Sequence, residues 1–121
     1  MVDARRHVAA ALLAGKRPDH GVRFVVPNYF EELALAARVD AIPVEMVWSF
    51  FGDFIVSYWY GLEPEFAQAR SDPGTFDELA WLVERCSEFN AKKGIKDTRQ
   101  WATDCRDDVF EAESLLAHED E

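Results

Sequence analysis

Asp53 is the polar residue whose setting most suggests chemistry. It lies inside an aromatic stretch that includes Trp48, Phe50, Phe51, Phe54, Tyr58, Trp59 and Tyr60. At about 100° per residue it falls opposite the main apolar arc, with Ser49, Ser57 and Tyr60 beside it. A carboxylate in so narrow a polar stripe can line a groove and act as a ligand or proton site. The same placement also fits an exposed face, or a buried Asp held by a neighbouring helix or an Arg, and these are the commoner uses. Glu31 and Glu32 are adjacent and point about 100° apart, so only one can face a core stripe. Paired-carboxylate or di-metal chemistry needs convergence from separate helices, and no Glu-x-x-His pair is present. One of the two glutamates is expected to pair with an Arg or to cap a helix start. His7, His20 and His118 are far apart and read as surface residues. No Gly-x-Ser-x-Gly elbow and no glycine-rich phosphate loop occurs, and Gly52 and Gly61 stand singly inside a helical pattern. Cys86 and Cys105 belong to neither a CxxC nor a Cys/His cluster, so no zinc site is indicated. Buried thiols are the expectation, with a disulfide between packed helices as the minority reading. The pattern designates no catalytic residue, no cofactor-binding residue and no metal ligand.

Composition narrows the function classes. The 121 residues carry a formal charge of −10. Eight carboxylates and one arginine fall within residues 104–121, which leaves the rest of the chain close to balance. This sign repels phosphate backbones and anionic membrane surfaces, so nucleic acid is not an expected partner. The acidic end reads first as a solvated helix face and a frayed tail over about residues 117–121; a docking surface for a basic partner is the sharper alternative. Nine Phe, four Trp and three Tyr supply ample buriable area, which argues against disorder. No signal peptide is visible, and no run approaches the roughly 20 apolar residues of a membrane span. A single domain in a reducing cytoplasm is the expectation.

The elements that must position these residues are helices. Gly and Pro break the chain near residues 15–21, 40–43, 71–74 and 91–96. The first helix is expected over about 3–14, with Val8, Leu12 and Leu13 as its stripe. The second falls within 22–38, with Phe24, Val25, Tyr29, Leu33 and Ala36 or Ala37 in phase; at Pro27 a helix either starts or kinks, and an Asn28/Glu31 capping box favours a start near Asn28. The third and clearest spans about 43–62. Val44, Val47, Trp48, Phe51, Phe54, Ile55, Tyr58, Trp59 and Leu62 share an arc of about 140°. Met46, Phe50 and Val56 extend its apolar surface, so this helix should be central. Gly52 costs about 1 kcal/mol in propensity, which a close helix crossing there would offset. Pro64 bends the chain into a short helix reaching Arg70. Thr75 and Glu78 have capping-box spacing before a helix carrying Phe76, Leu79, Ala80, Val83 and Cys86. The last helix starts near Asp97 or Thr98, with Gln100 placed to cap back and Trp101, Cys105, Val109, Ala112 and Leu116 as its stripe. The fold class is therefore all-α, a small bundle of about five helices around the aromatic helix at 43–62.

Asn28-Tyr29-Phe30-Glu31-Glu32-Leu33, then Phe51-Gly52-Asp53-Phe54-Ile55-Val56-Ser57-Tyr58-Trp59, then Phe76-Asp77-Glu78-Leu79 occur in this order. The arrangement resembles a bacterial family of uncharacterised helical domains, DUF4760, over about residues 22–84. Pro27 stands where the family more usually has Leu, and the N-terminal membrane helix of many members is not seen here. The resemblance implies a helical fold and brings neither an activity nor catalytic residues.

Three functions fit these observations. The favoured one is a non-enzymatic helical interaction or regulatory module, self-associating or binding a protein through aromatic surface that a bundle core does not consume. The candidate pocket or interface comprises Phe50, Asp53, Ser57, Tyr58, Trp59 and Tyr60. The rival is a small-molecule binder or enzyme with a pocket around Asp53, Tyr58 and Trp59. The third is a toxin–antitoxin or phage-defence component that docks through the acidic end from Glu113 onward.

Overall fold

The computed structural model describes residues 2–115. Six α-helices follow one another: α1 (Val2–Leu13), α2 (Val25–Arg38), α3 (Val44–Gly61), α4 (Glu63–Ala69), α5 (Asp77–Lys92) and α6 (Thr98–Ser114). Among the described residues there is no strand. The protein is an all-α bundle with α3 at its centre, packed against α6, α5 and α2 and leading into the short α4, while α1 lies on α6 and α2 on α5. All six helices contribute to one apolar core, from Val8 of α1 to Phe110 of α6. The frayed-tail expectation, Leu116 and His118 lie outside the described residues.

The third helix begins after Pro43, whose extended φ and ψ set up the first turn. It ends at Leu62, where the backbone turns directly into α4 with Pro64 in the first turn. The close approach expected at Gly52 is elsewhere. A Cβ on Gly52 would meet only Trp48 of its own helix, at 3.1 Å, whereas one on Gly61 would lie 3.1 Å from Phe110 and 3.3 Å from Leu12. Gly61 is therefore where side chains of α1 and α6 press on the backbone of α3.

Two helix starts differ from the sequence expectation, for one shared reason. The second helix starts at Val25, three residues ahead of Asn28. Pro27 sits within its first turn, where the missing N–H costs nothing. Burial of Val26 and Pro27 holds this extra turn, and the Phe24 ring packs on Phe66 and Phe76. The buried stripe is thus Val26, Phe30, Ala34 and Ala37, leaving Tyr29 exposed. Freed from an Asn28 box, the Glu31 carboxylate reaches across to α5 and accepts from the Leu79 N–H at 2.9 Å. The Thr75 hydroxyl makes no cap, because Phe76 precedes α5 in the left-handed region at φ 57°. That conformation costs a bulky residue about 1–2 kcal/mol. Burial of the Phe76 ring against Phe24 and Phe66 offsets it. At α6 the expected cap forms: the Asp97 side chain accepts from the Gln100 N–H at 3.0 Å. The Gln100 side chain does not cap back; it donates to Asp104 at 2.8 Å instead.

Candidate functional site

The six candidate residues on α3 do not form one pocket. Phe50 is 70% exposed. Asp53 is exposed and accepts a hydrogen bond from Trp101 Nε1 at 3.0 Å, which ties α3 to α6. Ser57 is buried, its Oγ 3.6 Å from Cys105 Sγ. Tyr58 lies in the core between the edges of Phe30 and Phe110. Trp59 faces another way and stacks on Phe66 at 4.7 Å. Tyr60 is half-buried beneath the Arg99 guanidinium, 4.6 Å from its ring. The pocket expected around Asp53, Tyr58 and Trp59 is therefore corrected: successive side chains leave the helix in different directions and meet different neighbours. Val56, which extends the apolar surface beyond the main arc, is buried.

Among the described residues neither cysteine thiol has a histidine or carboxylate hydrogen-bonded to it. Burial pushes the Cys86 thiol up to about 12, and burial also raises Cys105. Both cysteines are free. His7 is an exposed partner of Asp19 at 3.1 Å, and His20 is exposed on the loop after α1. Among the described residues no three His, Cys, Asp or Glu groups converge as a metal site, and no helix is long and apolar enough to cross a membrane.

The structure instead assembles a groove that the sequence pattern did not mark. Val26, Tyr29 and Phe30 of α2 and Phe51 and Phe54 of α3 wall a space of about 310 Å³. The two helices converge because α2 buries its Phe30 stripe against Tyr58. At the polar end of the groove stand Arg5 of α1 and Glu113 of α6. Arg5 Nε donates to Glu113 Oε1 at 3.2 Å and Nη2 to Oε2 at 2.5 Å. The Tyr58 hydroxyl donates to Glu113 Oε1 at 3.3 Å. Burial, then the Glu113 charge, pushes the Tyr58 phenol far above its usual range, so it stays a donor. Glu113 is only 3% exposed. It is no part of a solvated tail, and a docking element cannot begin with it.

Phe54 also lines a second, shallower space of about 220 Å³ with Phe50, Asp53 and Trp101. One phenyl ring thus separates the groove from the exposed face of α3. That face is uncovered for a geometric reason. Asp53 meets Trp101 and Ser57 meets Cys105, so α6 runs parallel to α3 with a constant offset of 48. Thr98, the first residue of α6, therefore falls level with Phe50, and the turn of α3 carrying Met46 extends beyond it. Met46 is 51% exposed.

The sequence model of a family described as a domain of unknown function (DUF4760) matches residues 7–86, from α1 into α5. Arg5 and Glu113 lie outside the matched residues. No curated protein and no solved structure matches the chain.

Proposed function

The chain belongs to the DUF4760 family, domains of unknown function, and we propose that it works as a non-enzymatic helical interaction module that self-associates through the uncovered first half of α3. The observation that carries the reading is Phe50, 70% exposed, one helical turn from the exposed Met46. Exposed aromatic and Met side chains grouped on one helix face are the usual content of an interface core. A folded chain leaves such side chains in water only at a cost, and a second copy would remove it.

The net charge of −10 makes copies repel one another, so apolar contact through Phe50 and Met46 has to outweigh that repulsion, the exposed Asp53 included. The same charge keeps nucleic acid out of the proposed partner set. Two free thiols, Cys86 buried and Cys105 half-buried, suit a reducing cytoplasm, which is the proposed location. Sedimentation velocity over the micromolar range tests the reading, with Phe50→Ser as the control. Concentration-dependent association that the variant abolishes is expected. Association unaltered by the variant moves the interface away from α3.

A further inference from the structure

The α2–α3 groove carries a second role, distinct from the face around Phe50. We propose that it is a binding site for a small apolar carboxylate, with the carboxylate on Arg5 and the apolar body against Tyr29, Phe51 and Phe54.

Three observations combine. The groove has the volume of a small-ligand site, about 310 Å³, and apolar walls from two rigid helices. Its polar end is built rather than incidental. Glu113, 3% exposed, takes the Nε and Nη2 edge of Arg5 and fixes the plane of the guanidinium. The end-on edge, Nη1 and the second Nη2 hydrogen, has no acceptor among the described residues, and the Arg5 side chain remains 31% exposed in the groove. A guanidinium edge of this kind is a planar fork that matches a carboxylate with two parallel hydrogen bonds. Arginine carries no acceptor, so the ligand's polar end must supply oxygen lone pairs. The aromatic rings then select an apolar, preferably aryl, body by offset and edge contacts. Glu113 repels an incoming anion, yet its own charge is already shared between Arg5 and the Tyr58 hydroxyl, and the guanidinium stands between the two carboxylates.

The test is a titration of the isotope-labelled full chain with 3-phenylpropionate, followed by backbone NMR at a protein concentration where one oligomeric state prevails. Saturable shifts confined to residues near 5, 26–30, 51–54 and 113 are expected. The uncharged 3-phenylpropionamide should bind about tenfold more weakly, because it loses the charge-assisted pair. Tyr29→Glu places a like charge at the exposed rim without touching the core, and should likewise weaken the carboxylate about tenfold. No saturable shift, equal binding of the amide, or unchanged binding in Tyr29→Glu would each overturn the assignment. Chemical shifts in the groove report ligand whether or not copies associate through Phe50, so the two proposals fail separately.

Discussion

Removing Arg5 leaves the Glu113 carboxylate in an apolar site with only the Tyr58 hydroxyl to solvate it. Truncating one partner of a buried pair is costly chiefly for this reason, and Arg5→Ala should destabilise the protein by about 3 kcal/mol. The urea midpoint should fall without a change in slope. Replacing both groups, as in R5M/E113L, removes the unpaired charge and should recover most of the loss; a double variant as weak as the single one contradicts this account. Glu65 supplies the pH dependence. Burial raises its pKa, but hydrogen bonds from Arg17 and the Arg17 charge outweigh burial and hold it below the usual carboxylate value. Its folded pKa is depressed, so its contribution is present above the unfolded value of about 4 and is lost as pH falls through the lower folded one. Urea titrations at pH 5 and pH 3 should show a smaller drop for Glu65→Gln than for the parent chain. Glu31 works in the opposite sense, since burial raises it and its ionised form costs the fold more as pH rises. Little of this was legible beforehand. Glu113 sits within an acidic run that reads as solvated, and its partner lies 108 residues away. The one available signal was its phase with Ala102, Val109 and Phe110 on the buried side of α6.

The helices themselves follow from periodicity, and the aromatic arc of α3 was readable because nine apolar residues share it. The starts of α2 and α5 were not, because a cap chosen from local spacing competes with caps supplied by tertiary structure. The carboxylate of Glu31 in α2 satisfies the N-terminal N–H of Leu79 in α5, in a position that also suits the helix dipole. Glu31→Ala should therefore lower stability by about 1 kcal/mol, while Thr75→Ala should be nearly silent. Equal losses in thermal melts would restore the Thr75 cap. The contact of Leu12 of α1 and Phe110 of α6 with Gly61 makes the companion prediction. Gly61→Ala gains about 1 kcal/mol of helix propensity, yet its Cβ meets Phe110 and Leu12 within 3.3 Å, and overpacking of this kind costs about 1–3 kcal/mol. A net loss in Tm is expected at Gly61. Gly52→Ala should be milder, because only the Trp48 ring of the same helix must give way.

At the scale of the whole molecule, the parallel register of α3 and α6 decides what is covered. An offset of 48 places the start of α6 level with Phe50, so α6 covers the later turns of α3 and leaves the Met46/Phe50 side of its first turns open, while α5 covers Trp48. The sequence signalled surplus apolar surface on α3 but could not say which part of it stayed outside. Val56 proved buried and Tyr60 partly shielded by Arg99, while Phe50 and Met46 remain exposed. The proposed self-association through that face would work against a charge of −10 on each copy, so added salt should strengthen it by screening. The most direct measurement is sedimentation velocity of the full chain across the micromolar range, at low and at high salt, beside Phe50→Ser. The account predicts a concentration-dependent dimer that salt favours and the substitution removes. A strict monomer at every concentration and salt would contradict it.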